Sequence, residues 1–186
     1  MAILEDRKTQ TRRIVKPLPA GACITMDDLA AKPEYYAACG YCPYGTKGDL
    51  LWVKETGWEP KQPSARELRE GADTWPKYVY DATEPTSKAE AEQYKAWGWK
   101  RRPSIFMREV HSRILLQVVS VRVERLQDIT AADAIAEGVI LEETEGGKHE
   151  DDPISAYRRL WVSINGPGSW ELNPWVWVIE FRRVSK

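Results

Sequence analysis

The stretch from Arg113 to Leu126 constrains this chain most. Its second half sets Val119, Val121 and Val123 against Ser120, Arg122 and Glu124, a period of two that fits a half-buried β-strand. Its first half, Ile114-Leu115-Leu116, is apolar at consecutive positions and predicts burial on both faces. A second strand closes the sequence. From Trp175 to Val184, Trp175, Trp177, Ile179 and Phe181 fall on one face, and Val176, Val178, Glu180 and Arg182 on the other.

Shorter signals fill in around these two. Leu51-Trp52-Val53 opens a strand that ends near Thr56, behind a turn carrying Gly45, Gly48 and Asp49, and Lys77 to Asp81 predicts another. Ala2 to Lys8 predicts a short helix with Ile3 and Leu4 inward, and Pro17, Pro19 and Pro33 mark irregular chain up to Tyr44. Ser87 to Trp97 reads as a helix whose capping box is Ser87 with Glu90. Ser104 to Glu109 reads as extended. Thr130 caps a helix that runs to Glu137 and stops at Gly138. Asp152 and Pro153 start a last helix with the apolar stripe Ala156, Leu160 and Ile164, broken by Asn165-Gly166-Pro167-Gly168. Strands spread along the chain with short helices between them predict an α+β fold, a small β-barrel with short helices at its ends and inserted loops. The 186 residues fit one domain, 1–186, with inserts near 57–110 and 140–152.

Composition excludes little. A net charge of −1 neither demands nor forbids nucleic acid, so any such contact must use a local patch. No apolar run approaches the ~20 residues of a membrane span, and the start, with Glu5 and Asp6, has no apolar signal region. Three cysteines do not suit a disulfide framework, so a cytoplasmic location and no membrane partner are expected. Cys39 and Cys42 form a CxxC, with Cys23, His111 and His149 as conceivable further ligands, but one pair without a second cluster argues for packing residues and no metal. The nine tryptophans are expected in the core before any stacking role. There is no GxGxxG, Walker, HExxH or GxSxG motif, and no cofactor is called for.

The chemistry concentrates in DRKTQTRRIVKP, Asp6 to Pro17. On a helical turn Lys8 and Thr11, three apart, would be neighbours. Arg7, Arg12 and Arg13 and burial in a barrel mouth would disfavour the charged form of Lys8, which turns it toward a general base. Glu137 falls in the last turn of its helix, where the dipole opposes a carboxylate, so an unpaired acid there could hold and donate a proton. The plainer alternatives are a solvated basic face, a Thr11 hydroxyl bonded to backbone, and a surface Glu137 paired with some arginine.

Three segments together resemble the ASCH domain family of PUA-like β-barrels: ILEDRKTQTRR (Ile3 to Arg13), GDLLWVKET (Gly48 to Thr56), and the strand Arg113 to Leu126 followed by DITAADAIAEGV and the closing WVWVIEFRRV. The likeness is to the phage and prophage branch. Family members usually place a β-strand before the entrance helix, whereas this sequence starts on that helix. One bacterial subgroup is similar to amidohydrolases that cleave the acetyl amide of N4-acetylcytidine with a Lys, a Thr and a Glu. The resemblance implies Lys8, Thr11 and Glu137 as the catalytic residues and Arg13 as substrate-binding; Arg12 and Arg7, beside it in the sequence, would join it in meeting phosphate or only tune the field. The implied substrate is an N4-acylated cytidine or related modified nucleoside. Other members resemble RNA-binding modules. For that alternative, Arg7 to Arg13, Lys100-Arg101-Arg102 and Arg182-Arg183, with Trp97, Trp99 and Phe106, would form a single-stranded RNA groove.

Overall fold

A computed structural model describes residues 2–18, 24–61, 77–84, 86–140 and 152–185. Cys23, Trp75, His149, most of Lys61 to Trp75 and most of the 140–152 insert lie outside the described residues. The chain packs as two compact units, one formed by 52–114 and one by 2–51 with 115–185. The architecture is mixed α and β, with a curled antiparallel sheet and a few short helices, compatible with a small β-barrel-like α+β fold.

In the larger unit, strands β1 (Gln10–Ile14), β2 (Leu50–Trp52), β6 (Leu115–Arg125) and β7 (Trp175–Val184) form one sheet in the order β1-β7-β6-β2. The closing strand is therefore central, and its run Val176 to Ile179 is buried on both faces. Trp177 and Ile179 meet Val118, Val121 and Val123 in a core with Leu29, Ala37 and Cys42. Val176 and Val178 meet Leu126, Ile129, Ala134, Tyr157, Trp161 and Trp170 on the opposite face. The alternation expected from Val119 onward is interrupted. A register shift between Val118 and Ser120 leaves Val119 41% exposed, so Val118 and not Val119 joins Val121 and Val123 inside.

The N-terminal segment also differs from expectation. Residues 2–6 form turns and no helix, Asp6 takes a left-handed φ of 54°, and Thr11 sits in a strand. Pairing with β7, Thr11 opposite Ile179 and Arg13 opposite Trp177, supplies what the β-branched threonines favour locally. The chain expected to be irregular up to Tyr44 contains helices α1 (Met26–Ala31), with a Thr25–Asp28 capping box, and α2 (Pro33–Ala38), with Pro33 at its first position. Cys42 is buried, and burial pushes its thiol up; Cys39 is exposed.

Helix α4 (Ala131–Ala136) and helix α5 (Pro153–Asn165) complete this unit. Thr130 and Asp133 cap α4 reciprocally, and Asp152 caps α5. The interior side of α5 carries Ala156, Tyr157 and Trp161, while Leu160 and Ile164 of the expected stripe are 37% and 69% exposed. The larger rings bury more area and take the core.

The smaller unit holds strands β3 (Gly57–Glu59), β4 (Val79–Tyr80) and β5 (Lys100–Arg102) in the order β4-β3-β5, with helix α3 (Lys88–Ala96) between β4 and β5. Gly57 lets β4 approach: a Cβ there would run into the Val79 carbonyl oxygen. Ser87 and Glu90 form the capping box of α3. Ser104 to Glu109 is not extended; 3-10 turns span Ser104–Phe106 and Glu109–His111. Among the described residues no helix is long and apolar enough to cross a membrane.

Candidate active site

The entrance segment is pinned to the end of α4. Thr9 N–H donates to the Ala136 carbonyl at 2.9 Å, and the Arg7 guanidinium reaches the Gly138 carbonyl at 3.3 Å. Gly138 makes this approach possible. Its φ is +84°, and a Cβ there would lie 2.9 Å from Lys8 Cβ. Lys8 Nζ then donates twice to one residue, to the Glu137 carbonyl at 2.8 Å and to its Oε2 at 2.7 Å. A cation thus caps the negative end of α4 while the carboxylate of its C-cap residue folds back onto the same ammonium.

Glu137 is neither unpaired nor on the surface. Its side chain is 4% exposed, and Arg12 Nη1 stands 3.4 Å from the second oxygen, Oε1. Arg12 is itself wholly buried. Its Nη2 holds Glu124 Oε1 at 2.6 Å and Asp133 Oδ2 at 3.2 Å. Arg122 continues the network, with Nε 2.9 Å from Glu124 Oε2, Nη2 2.6 Å from Asp133 Oδ1, and Nη1 on Glu180. Three cations, Lys8, Arg12 and Arg122, thus face four carboxylates, Glu124, Asp133, Glu137 and Glu180. Burial raises the Asp133 carboxyl, but the Thr130 hydroxyl and N–H, then Arg122 and Arg12, outweigh it and hold the group at about 2.

This network floors a cavity of about 350 Å³. Lys8, Thr11, Arg12, Arg13 and Glu137 line its polar side, and Tyr157, Leu160, Trp161 and Ile164 of α5 its apolar side. The volume suits a small organic ligand. All three expected catalytic residues and two of the expected binding arginines therefore share one cavity. Arg7 lies apart, exposed and paired with Glu5 at 2.6 Å. Arg13 is exposed, and its Nη1 reaches the Arg12 carbonyl at 3.1 Å. Thr11 is half-buried, and among the described residues its hydroxyl meets no hydrogen-bond partner.

No protein-family model matches the chain, and no curated protein or solved structure matches it.

Sequence reasoning passed over the aromatic wall and the second layer of charge. Tyr157 and Trp161 stand four apart on α5, so one helical face presents both to the cavity. Burial pushes the Tyr157 hydroxyl upward in pKa, and Glu137 adds to it, so the phenol stays protonated and can donate. Arg122 and Glu124 were visible as the polar positions between the valines of β6, and their spacing of two puts them on one strand face.

Proposed function

We propose that this cavity hydrolyses the exocyclic amide of an N4-acylated cytidine or a related modified nucleoside, in the manner of a PUA-like ASCH amidohydrolase. The observation that carries this reading is the 2.7 Å contact between Lys8 Nζ and Glu137 Oε2 at the wall of a cavity that also presents Thr11. Moving one proton across that contact converts ammonium and carboxylate into amine and acid. Amide hydrolysis needs that pair, a base to activate the nucleophile and an acid for the leaving nitrogen.

The steps balance without a cofactor. The Lys8 amine takes a proton from the Thr11 hydroxyl, or from a water that Thr11 orients, and the oxygen adds to the amide carbon. Arg13, which lines the same cavity, would stabilise the resulting oxyanion. Glu137 gives its proton to the exocyclic nitrogen as the C–N bond breaks, which releases cytidine. If Thr11 is the nucleophile, water then cleaves its acyl ester. Lys8 returns its proton to Glu137. Arg12 is a positioning residue: it is buried against three carboxylates and fixes Glu137. Tyr157 and Trp161 offer rings against which a pyrimidine can lie.

The RNA-groove alternative has less support. Arg12 is wholly buried, Arg101 is held by Asp81 at 2.7 Å and Arg183 by Asp6 at 3.2 Å, so three of its cations are already engaged. The test is cytidine release from N4-acetylcytidine by purified protein, with Lys8→Ala alongside. Release by wild type and a loss of at least ~100-fold in the variant are expected. No release by wild type sinks the substrate, and equal release by both sinks the role of Lys8.

A further inference from the structure

The smaller unit carries a second site of opposite electrostatic character. The register of β3 with β5 sets Lys100 opposite Glu59 and Arg102 opposite Gly57. With a side-chain period of two, Lys100, Arg102 and Glu59 share one sheet face, while Arg101 points to the other and pairs with Asp81. Glu59 is 5% exposed and is met by Arg102 at 2.6 Å, by Arg108, and by His111 Nε2 at 3.2 Å. Burial raises the Glu59 carboxyl, but Arg102, His111 and Arg108 together outweigh it and lower it, so it stays ionised.

One carboxylate does not neutralise what surrounds it. The cavity here is about 360 Å³ and, among the described residues, is lined by Lys61, Lys100, Arg102 and Arg108 with Glu59 as the one acid, an excess of three positive charges. Lys61 and Lys100 are exposed, and among the described residues neither has an ion-pair partner. This excess stands in a chain whose net charge is −1, so it is a local feature of the fold. Across Arg108 and Pro60 the cavity adjoins a larger one, about 840 Å³, that Trp99, Tyr78 and Tyr80 help to line.

We infer that Lys61, Lys100, Arg102 and Arg108 form a binding site for the diphosphate group of a small phosphorylated ligand. The several negative charges of a diphosphate match the excess. The guanidinium forks of Arg102 and Arg108, ordered by Glu59, offer paired donors to phosphate oxygens, and the two exposed lysines add point charge. A ligand carrying a ring beyond the phosphates, such as a nucleoside diphosphate, could reach past Arg108 toward Trp99. The site is independent of the amide-hydrolysis reading and uses none of its residues.

The experiment is calorimetric titration of the full chain with inorganic pyrophosphate and, separately, with cytidine diphosphate at low ionic strength. Saturable binding of pyrophosphate is expected, at least tenfold weaker in Lys61→Ala/Lys100→Ala, unchanged in Lys8→Ala, and weakened by added salt. Both lysines are exposed, so the double variant keeps the fold, which its thermal midpoint verifies. Tighter binding of cytidine diphosphate than of pyrophosphate would identify a nucleotide as the source of the diphosphate; equal binding would identify the free anion. Absence of pyrophosphate binding, or binding untouched by the double substitution, overturns the proposal. So does tighter binding of a single-stranded oligonucleotide than of either small anion.

Discussion

The two charged regions of this molecule are built on opposite plans. Around Arg12, three cations meet four carboxylates, Arg12 and Glu137 are almost wholly shielded from solvent, and each group holds another in place. Around Glu59, among the described residues, four cations line a cavity with one carboxylate, and two of them reach into solvent without an ion-pair partner. A nearly neutral, largely buried network has little charge left to attract an ion and instead fixes geometry, which the proposed proton transfer between Lys8 and Glu137 needs. An unbalanced exposed cluster fixes little and attracts a counter-charge. The comparison separates charges that position from charges that bind.

Four perturbations test it, ranked by expected cost to stability. Arg12→Ala removes the buried cation that Glu124, Asp133 and Glu137 share, leaving them only Arg122 and Lys8, and should cost about 3–5 kcal/mol in urea unfolding. A cost below about 1 kcal/mol would mean the network is not what holds this unit together. Acid acts next. The Asp133 carboxyl is depressed from 3.8 to about 2, so its contribution is full above the unfolded value and lost as pH falls from about 4 toward 2. That loss should be about 2 kcal/mol, and Asp133→Asn should remove it from the pH profile of stability. Identical profiles for variant and wild type would contradict the depression.

Gly138→Ala forces a side chain into left-handed backbone and against Lys8, at about 1–3 kcal/mol, and should lower cytidine release by displacing the ammonium. Full activity in that variant would break the link between the close approach and the chemistry. The smallest effect belongs to the exposed cluster. Lys100→Ala should leave stability within about 0.5 kcal/mol while weakening pyrophosphate binding.

How much of this was legible in the sequence varies with how local the cause is. The ends of α4 and α5 were readable because Thr130, Gly138, Asp152 and Pro153 act within one turn. Two short helices also carried local signals, the Thr25–Asp28 box and Pro33, but the surrounding prolines masked them. The conversion of the Lys8–Thr11 region from helix to turn and strand was only partly readable: Thr9 and Thr11 weaken a helix locally, but the strand itself is made by pairing with β7 at the far end of the chain. The bulge beside Val119 was hidden for a similar reason: the valine alternation runs unbroken through it, and only the partner strand shows the extra residue. Lys8, Thr11 and Glu137 were named through the motif resemblance, whereas the ion pair between them and its support by Arg12 are contacts between distant segments. The site near Glu59 was the least legible, since Lys100 and Arg102 gain their meaning from a strand that the sequence did not reveal, β3.

The central claim is that the Lys8–Glu137 pair exchanges a proton during amide cleavage. Glu137→Gln tests it most directly, because it keeps the shape and the Lys8 contact but removes the proton that must be passed. Cytidine release from N4-acetylcytidine should fall by at least ~100-fold while the variant remains folded. Release at the wild-type rate by a folded Glu137→Gln protein would contradict the account.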